Sequence, residues 1–277
     1  MKKPIEFSVN VWAPNFLAYI AQEKGFFEKN NVNVNLTLIQ HYADAVKDYV
    51  NGEHDGMFNV YSDALIQNSE GIDTKVVYNA DISYDADAII GNLDNLTDIK
   101  GKKVGVEGIN SFSHYFMLKS LENVGLDEGD VEFVDIPAQN ISEAIKKGEI
   151  DSGHTYNPYM SDALKDGFNV LSIGADTPGV ISTVIVFNSD IVRQKPQDIQ
   201  NFIKSLIEAK EDYDKNPDED IELMSLKTGI KKTEIMDGMN GSKLLDLDYN
   251  AHISMNKQLN QSESLYNSGN NIVKFYA

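Results

Sequence analysis

Residues Phe16–Ile39 read FLAYIAQEKGFFEKNNVNVNLTLI, and Phe112–Ile136 read FSHYFMLKSLENVGLDEGDVEFVDI. Each is a helix-like run, a glycine, a polar turn and then a Val-rich strand. Further on, Gly52-Glu53-His54-Asp55-Gly56 answers Gly148-Glu149-Ile150-Asp151-Ser152-Gly153, and Ser62-Asp63-Ala64-Leu65 answers Ser161-Asp162-Ala163-Leu164. The matches recur at a nearly constant spacing of about 96 residues, the mark of an internal repeat. The chain therefore reads as two lobes of like topology.

Working outward, strand patterns fall at Glu6–Val11, Val32–Ile39, Gly56–Val60, Thr74–Asn79, Lys103–Glu107, Val131–Ile136, Asp151–His154 and Asn169–Ile173. Helical periodicity lies between them. Pro14 sits in one first turn ahead of Phe16, Leu17, Ile20 and Ala21, and an Ala43, Val46, Tyr49, Val50 stripe stops at Gly52. Two more helices run from about Phe112 to Gly125 and from Ile141 to Gly148. Such alternation predicts an α/β class built of βαβ units with mostly parallel sheets. Tyr84–Asn92 and Val180–Asn188 look like paired crossings between the lobes. Lobe one is then residues 1–88 and 180–277, with a helical tail packed back on it, and lobe two is residues 89–179. No convincing strand pattern follows Phe187.

Composition narrows the chemistry. With 277 residues and 42% hydrophobic side chains the chain can bury a large core. Lys and Arg number 24 against 43 Asp and Glu, a net charge of −19, which argues against a nucleic-acid partner. There is no cysteine, hence no disulfide, thiolate metal site or cysteine nucleophile. No run is apolar for long enough to span a membrane, and no signal peptide is visible behind Lys2 and Lys3. The histidines His41, His54, His114, His154 and His252 lack metal-site spacing, and no phosphate-loop, dinucleotide or serine-elbow motif is present. Neither a catalytic constellation nor a cofactor or metal is expected.

Open α/β sheets bind ligands beyond the carboxyl ends of their strands. Four strand-to-helix junctions should meet there: Asn10 to Asn15, with Trp12; Asn59 to Asp63, with Tyr61 and Ser62; Gly108 to His114, with Ser111, Phe112 and Ser113; and Thr155 to Pro158, with Tyr156 and Asn157. The polar residues at any single junction read equally as helix caps. Four such junctions facing one cleft favour binding, with free N–H groups and the Ser111 and Ser113 hydroxyls seating a polar head group. Trp12, the sole Trp, offers a flat contact surface or fills the rim of lobe one. His114 is the histidine best placed for ligand contact. Asp87 and Asp176 are candidates to face an amine, although Asp176 also suits the start of an Asp-Thr-Pro-Gly turn.

The segment Trp12–Ile39 resembles the opening of solute-binding proteins of the nitrate, sulfonate and taurine type, a group that includes binders of the thiamine pyrimidine precursor. The likeness continues through Leu96–Leu126 (LTDIKGKKVGVEGINSFSHYFMLKSLENVGL), Gly148–Gly167 (GEIDSGHTYNPYMSDALKDG) and Asp176–Asp190 (DTPGVISTVIVFNSD), and so covers nearly all of residues 5–210. The resemblance implies a type 2 periplasmic-binding fold that closes on one small molecule, monomeric, located outside the cytoplasm and delivering to an ABC permease. It also implies an export signal outside this sequence. In relatives the hydroxyls matching Ser111 and Ser113 hold the ligand's acidic group. The position matching Tyr156-Asn157-Pro158 is often an aromatic followed by an acid. Asn157 departs from that pattern, which argues against an amine held there unless Asp87 or Asp176 compensates. A related pyrimidine-synthesising enzyme uses a Cys-rich motif, which a chain without cysteine cannot supply.

The expected function is therefore capture of a small polar molecule, sulfonate-, nitrate-, taurine- or pyrimidine-precursor-like, between the lobes. The alternatives are a ligand-sensing domain of a membrane signalling protein, of the histidine kinase or cyclase type, and an enzyme using the same cleft.

Overall fold

Ile5, Phe7, Ser8, Val9 and Asn10 are all buried, so the first strand is covered on both faces. That burial fits the middle of a sheet with helices on each side. The computed structural model describes residues 3–276 and contains two mixed sheets. The strands are β1 (Ile5–Asn10), β2 (Val34–Ile39), β3 (Gly56–Val60), β4 (Thr74–Ser83), β5 (Asp87–Gly91), β6 (Lys103–Val106), β7 (Glu132–Asp135), β8 (Ser152–Tyr156), β9 (Asn169–Ile173), β10 (Ser182–Asn188) and β11 (Ser242–Leu244). One sheet runs β11-β4-β10-β3-β1-β2 and the other β7-β6-β8-β5-β9.

The internal repeat is visible in this order. β1 pairs in parallel with β2 on one side and β3 on the other, and β6 does the same with β7 and β8. The carboxyl ends of both βαβ arrays therefore send their helices toward the same space. The expectation of mostly parallel sheets needs correction. β10 is antiparallel to β3 and β4, and β5 is antiparallel to β8 and β9. The cause is the chain path: these two strands are reached by passing between sheets, so no crossover helix forces them parallel.

The passages lie at residues 84–86 and 174–181, and β5 begins before the boundary drawn from sequence. Tyr84, Asp85 and Ala86 all direct their N–H groups at the Gly241 carbonyl, at 2.9, 3.1 and 3.3 Å. Where the two passages touch, a Cβ on Gly174 would come within 2.8 Å of the Ser83 carbonyl oxygen. A side chain there would force them apart.

A second correction concerns β11, a strand beyond Phe187 that pairs antiparallel with β4 at the sheet edge. Its three residues are too few to show an alternation. The helical tail packs on the first sheet as expected. The helix Pro196–Tyr213 lies against Leu17–Glu23 and inserts Phe202 among Phe7, Phe27 and Phe187, with the Phe27 ring stacked at 5.4 Å. Polar anchoring comes from Lys24, whose ammonium meets Asp212 and lies 2.6 Å from the fully buried Asp220. Among the described residues no helix is long and apolar enough to cross a membrane.

Candidate functional site

The four junctions converge on one cavity between the sheets. Its wall is Asn10, Trp12, Asn15, Tyr42, Phe58, Asn59, Val60, Asp87, Phe112, Tyr156, Ile181 and Thr183, enclosing about 30 Å³. That is room for a water molecule or two. Aromatic edges close it: Tyr42 meets Phe112 at 5.2 Å and Trp12 meets Tyr156 at 6.1 Å, both edge-to-face across the cleft. A backbone-to-side-chain hydrogen bond joins the halves directly, because the Phe112 N–H donates to Asp63 Oδ1 at 2.6 Å. Phe112 opens the helix Phe112–Asn123, so a carboxylate of the first lobe occupies the positive helix end of the second.

Six of the residues singled out from sequence line this cavity: Trp12, Asn15, Asn59, Asp87, Phe112 and Tyr156. The others are placed around it. Ser111 is the N-cap, its hydroxyl bonded to the Glu107 and Gly108 carbonyls. Ser62 is buried, with no hydrogen-bond partner for its hydroxyl. Tyr61 donates its hydroxyl to the Leu265 carbonyl, under the C-terminal helix Leu265–Tyr276. Asn157 donates its backbone N–H to Ala86 and accepts from the Ser161 hydroxyl. Asp176 accepts from the Ile173 N–H and the Ser172 hydroxyl, a local cap away from the cavity.

His114 turns into the second lobe instead. Its ring packs edge-on against Phe133 at 4.5 Å, its Nδ1 accepts from the Asn110 N–H, and burial lowers its pKa. The histidine beside the cavity is His154. It stands between Ser113 Oγ, 2.8 Å from Nδ1, and Asp87 Oδ1, 3.0 Å from Nε2. The Glu107 N–H donates to the same serine oxygen at 2.9 Å. Ser113 and His154 are fully buried and neither lines the cavity, so the chain of bonds braces Asp87 at its wall.

Sequence reasoning missed a set of buried acids. Asp81 Oδ1 accepts from Trp12 Nε1 at 3.1 Å and from the Thr183 hydroxyl at 3.0 Å, while its Oδ2 has no hydrogen-bond partner. Asp63 accepts from the Tyr42 hydroxyl at 2.8 Å as well as from Phe112. Glu107 is buried at the end of β6, facing the Tyr156 phenol, and its oxygens make no hydrogen bond of ordinary geometry. Burial pushes all three carboxyls up to about 7. The same desolvation drives the Tyr42 and Tyr156 phenols well above their usual range. The available signal was an acid inside an otherwise apolar strand, as at Asp81, or one residue beyond a strand end, as at Glu107. Among the described residues no cluster of His, Asp or Glu is arranged to hold a metal ion.

With the geometry defined, the comparisons fall into line. The taurine-binding periplasmic protein of Escherichia coli (strain K12) is 28% identical over 160 residues, covering 53% of this chain and 48% of that protein. The chain spans about half the length of the curated relatives it matches. A Candida albicans protein, CA3427, described as having the generic periplasmic binding protein fold, superposes with a TM-score of 0.79 at 13% identity, covering 99% and 90% of the two chains. The periplasmic aliphatic sulphonate binding protein SsuA of Escherichia coli gives 0.74 at 17% identity, covering 91% and 89%. The fold is that of the periplasmic binding proteins. Residues 14–220, three quarters of the sequence, match the NMT1/THI5-like family, and the chain belongs to that family.

Proposed function

We propose that this protein is the extracytoplasmic receptor of an ABC import system, taking one small molecule between its lobes and handing it to a permease. The observation that carries this reading is the convergence of all four strand-to-helix junctions, two from each repeat, on a single aromatic-lined cavity. Two of the names support it, a taurine-binding periplasmic protein among the relatives and a periplasmic aliphatic sulphonate binding protein among the structures sharing the fold. The space of about 30 Å³ is smaller than any solute of several heavy atoms, so on this reading loading requires the lobes to part at residues 84–86 and 174–181. Closure then completes the wall by joining Asp63 to Phe112. A binding role also fits the buried serine, which braces an acid and does not face the cavity.

The test is thermal melting against a panel of small anions, zwitterions, amines and pyrimidines, followed by native mass spectrometry. A ligand at about a hundred times its Kd adds ~2.7 kcal/mol, a shift of several degrees. Trp12, the sole Trp, lines the cavity, so its fluorescence reports the same event independently. A melting shift without any change at Trp12 would place the ligand elsewhere and defeat the cleft assignment.

A further inference from the structure

We infer that the cleft selects a small organic cation, whose charged nitrogen sits against Asp87 inside the aromatic wall of Trp12, Tyr42, Phe112 and Tyr156, and that it rejects anions. The inference rests on the receptor reading above and supplies the ligand class.

Three independent observations carry it. First, the place an anion would take is filled. The N–H group at the start of the helix Phe112–Asn123 already donates to Asp63, a carboxylate of the protein itself. Second, unsatisfied acceptors lie at and behind the wall. Asn15, 1% exposed and lining the cavity, has an Oδ1 without a hydrogen-bond partner, and Asp81 Oδ2 behind the wall shares that state. A buried acceptor left unpaired costs about 1–3 kcal/mol, and a ligand bearing N–H groups removes that cost where it reaches. Third, among the described residues no Lys or Arg lines the cavity, whereas Asp87 does. Aromatic faces attract cations through their quadrupole, and desolvation strengthens that attraction.

The titratable groups on the elements packed around this space are consistent in sign, although only Asp87, Tyr42 and Tyr156 line it. From the first lobe come Asp63 and Asp81, with the Tyr42 phenol. From the second come Asp87, Glu107 and the Tyr156 and Tyr159 phenols, with Asp135 behind Glu107 and the imidazole of His154 holding Asp87. The C-terminal helix adds the Tyr276 phenol. An entering cation favours the ionised carboxylates, so its affinity rises with pH as those acids lose their protons. The net charge of −19 also raises the local concentration of cations over anions.

The experiment is calorimetric titration at pH 8 and pH 5.5 with benzamidinium, propylammonium, choline, ethanesulfonate, nitrate and taurine, with Trp12 fluorescence in parallel. Expected are binding of at least one of the three cations, at least tenfold weaker at pH 5.5, and no binding of ethanesulfonate or nitrate. Asp87→Asn should weaken the cation at least tenfold. The pH comparison uses the unmodified protein, so the inference remains testable if that variant fails to fold. Binding of ethanesulfonate or nitrate at the cleft, or of taurine more tightly than propylammonium, overturns the charge preference and leaves the receptor reading standing. No binding by any probe, with no small molecule carried by freshly purified protein, overturns both.

Discussion

Asp63, in the first turn of a helix of the first lobe, accepts a 2.6 Å hydrogen bond from the backbone N–H of Phe112, which opens a helix of the second. One side chain thus reaches a helix end of the opposite lobe and bridges the cleft. Truncation as Asp63→Ala should expose that helix end. We expect the variant to acquire sulfate binding, read as a salt-specific rise in melting temperature that the parent protein lacks. A gain of binding is not a symptom of misfolding. Equal sulfate response in the two proteins would show that the seat is not plugged.

The buried acids set a pH dependence of unusual direction. Asp63 and Asp81 start from 3.8 and Glu107 from 4.5, and all reach about 7 in the folded protein. Between those limits the folded state holds protons that the unfolded chain has released, so stability falls as pH rises from about 4 to about 7 and then levels off. The contribution is on the order of a few kcal/mol for each acid. Melting temperature in the absence of ligand should therefore be higher near pH 5.5 than at pH 8. Asp81→Asn should flatten the slope; an unchanged slope would remove Asp81 from the account.

Trp12→Phe keeps an aromatic ring in the wall and deletes the indole N–H donated to Asp81. At pH 8, with Asp81 ionised, the loss should cost about 1.5–3 kcal/mol, the value of a hydrogen bond to a charged group. At pH 5.5 the cost should be smaller, because the neutral acid needs the donor less. Urea unfolding at the two pH values measures the difference. Equal costs would mean that the indole contributes packing alone.

Lys24→Met addresses the tail. The ammonium neutralises Asp220, fully buried in the helix Pro217–Thr228, and also meets Asp212. Removing it leaves a buried acid without its counter-charge, a loss of about 3–5 kcal/mol. The double variant Lys24→Met with Asp220→Leu should recover part of that loss. If the single variant unfolds at the parent urea concentration, the tail is held by the Phe202 packing alone.

Much of the fold was legible because repetition and burial leave marks in the chain. The two glycine-punctuated runs ending at Ile39 and Ile136 gave the repeated βαβ arrays, and apolar strands such as Gly56–Val60 needed no correction. The antiparallel strands were not legible: Asp87–Gly91 and Ser182–Asn188 are as apolar as parallel ones, since both kinds are buried on two faces. The cavity wall was half legible. Trp12, Asn59, Phe112 and Tyr156 follow from the rule that ligands gather at strand ends. His114 and His154 could not be ranked, because which histidine meets the cleft depends on how helix and strand are rotated.

By itself the sequence determined the α/β class, the duplicated lobes, the helical tail and the four junctions where a ligand would sit, all of them consequences of hydrophobic period and turn chemistry along the chain. Only the tertiary structure decided the electrostatics of the cleft. Asp63, Asp81, Asp87 and Glu107 are ordinary members of a chain with 43 acids until folding brings them together away from water. Burial is a property of the assembled lobes, and burial is what raises the pKa of Asp63, Asp81 and Glu107 beside the cleft.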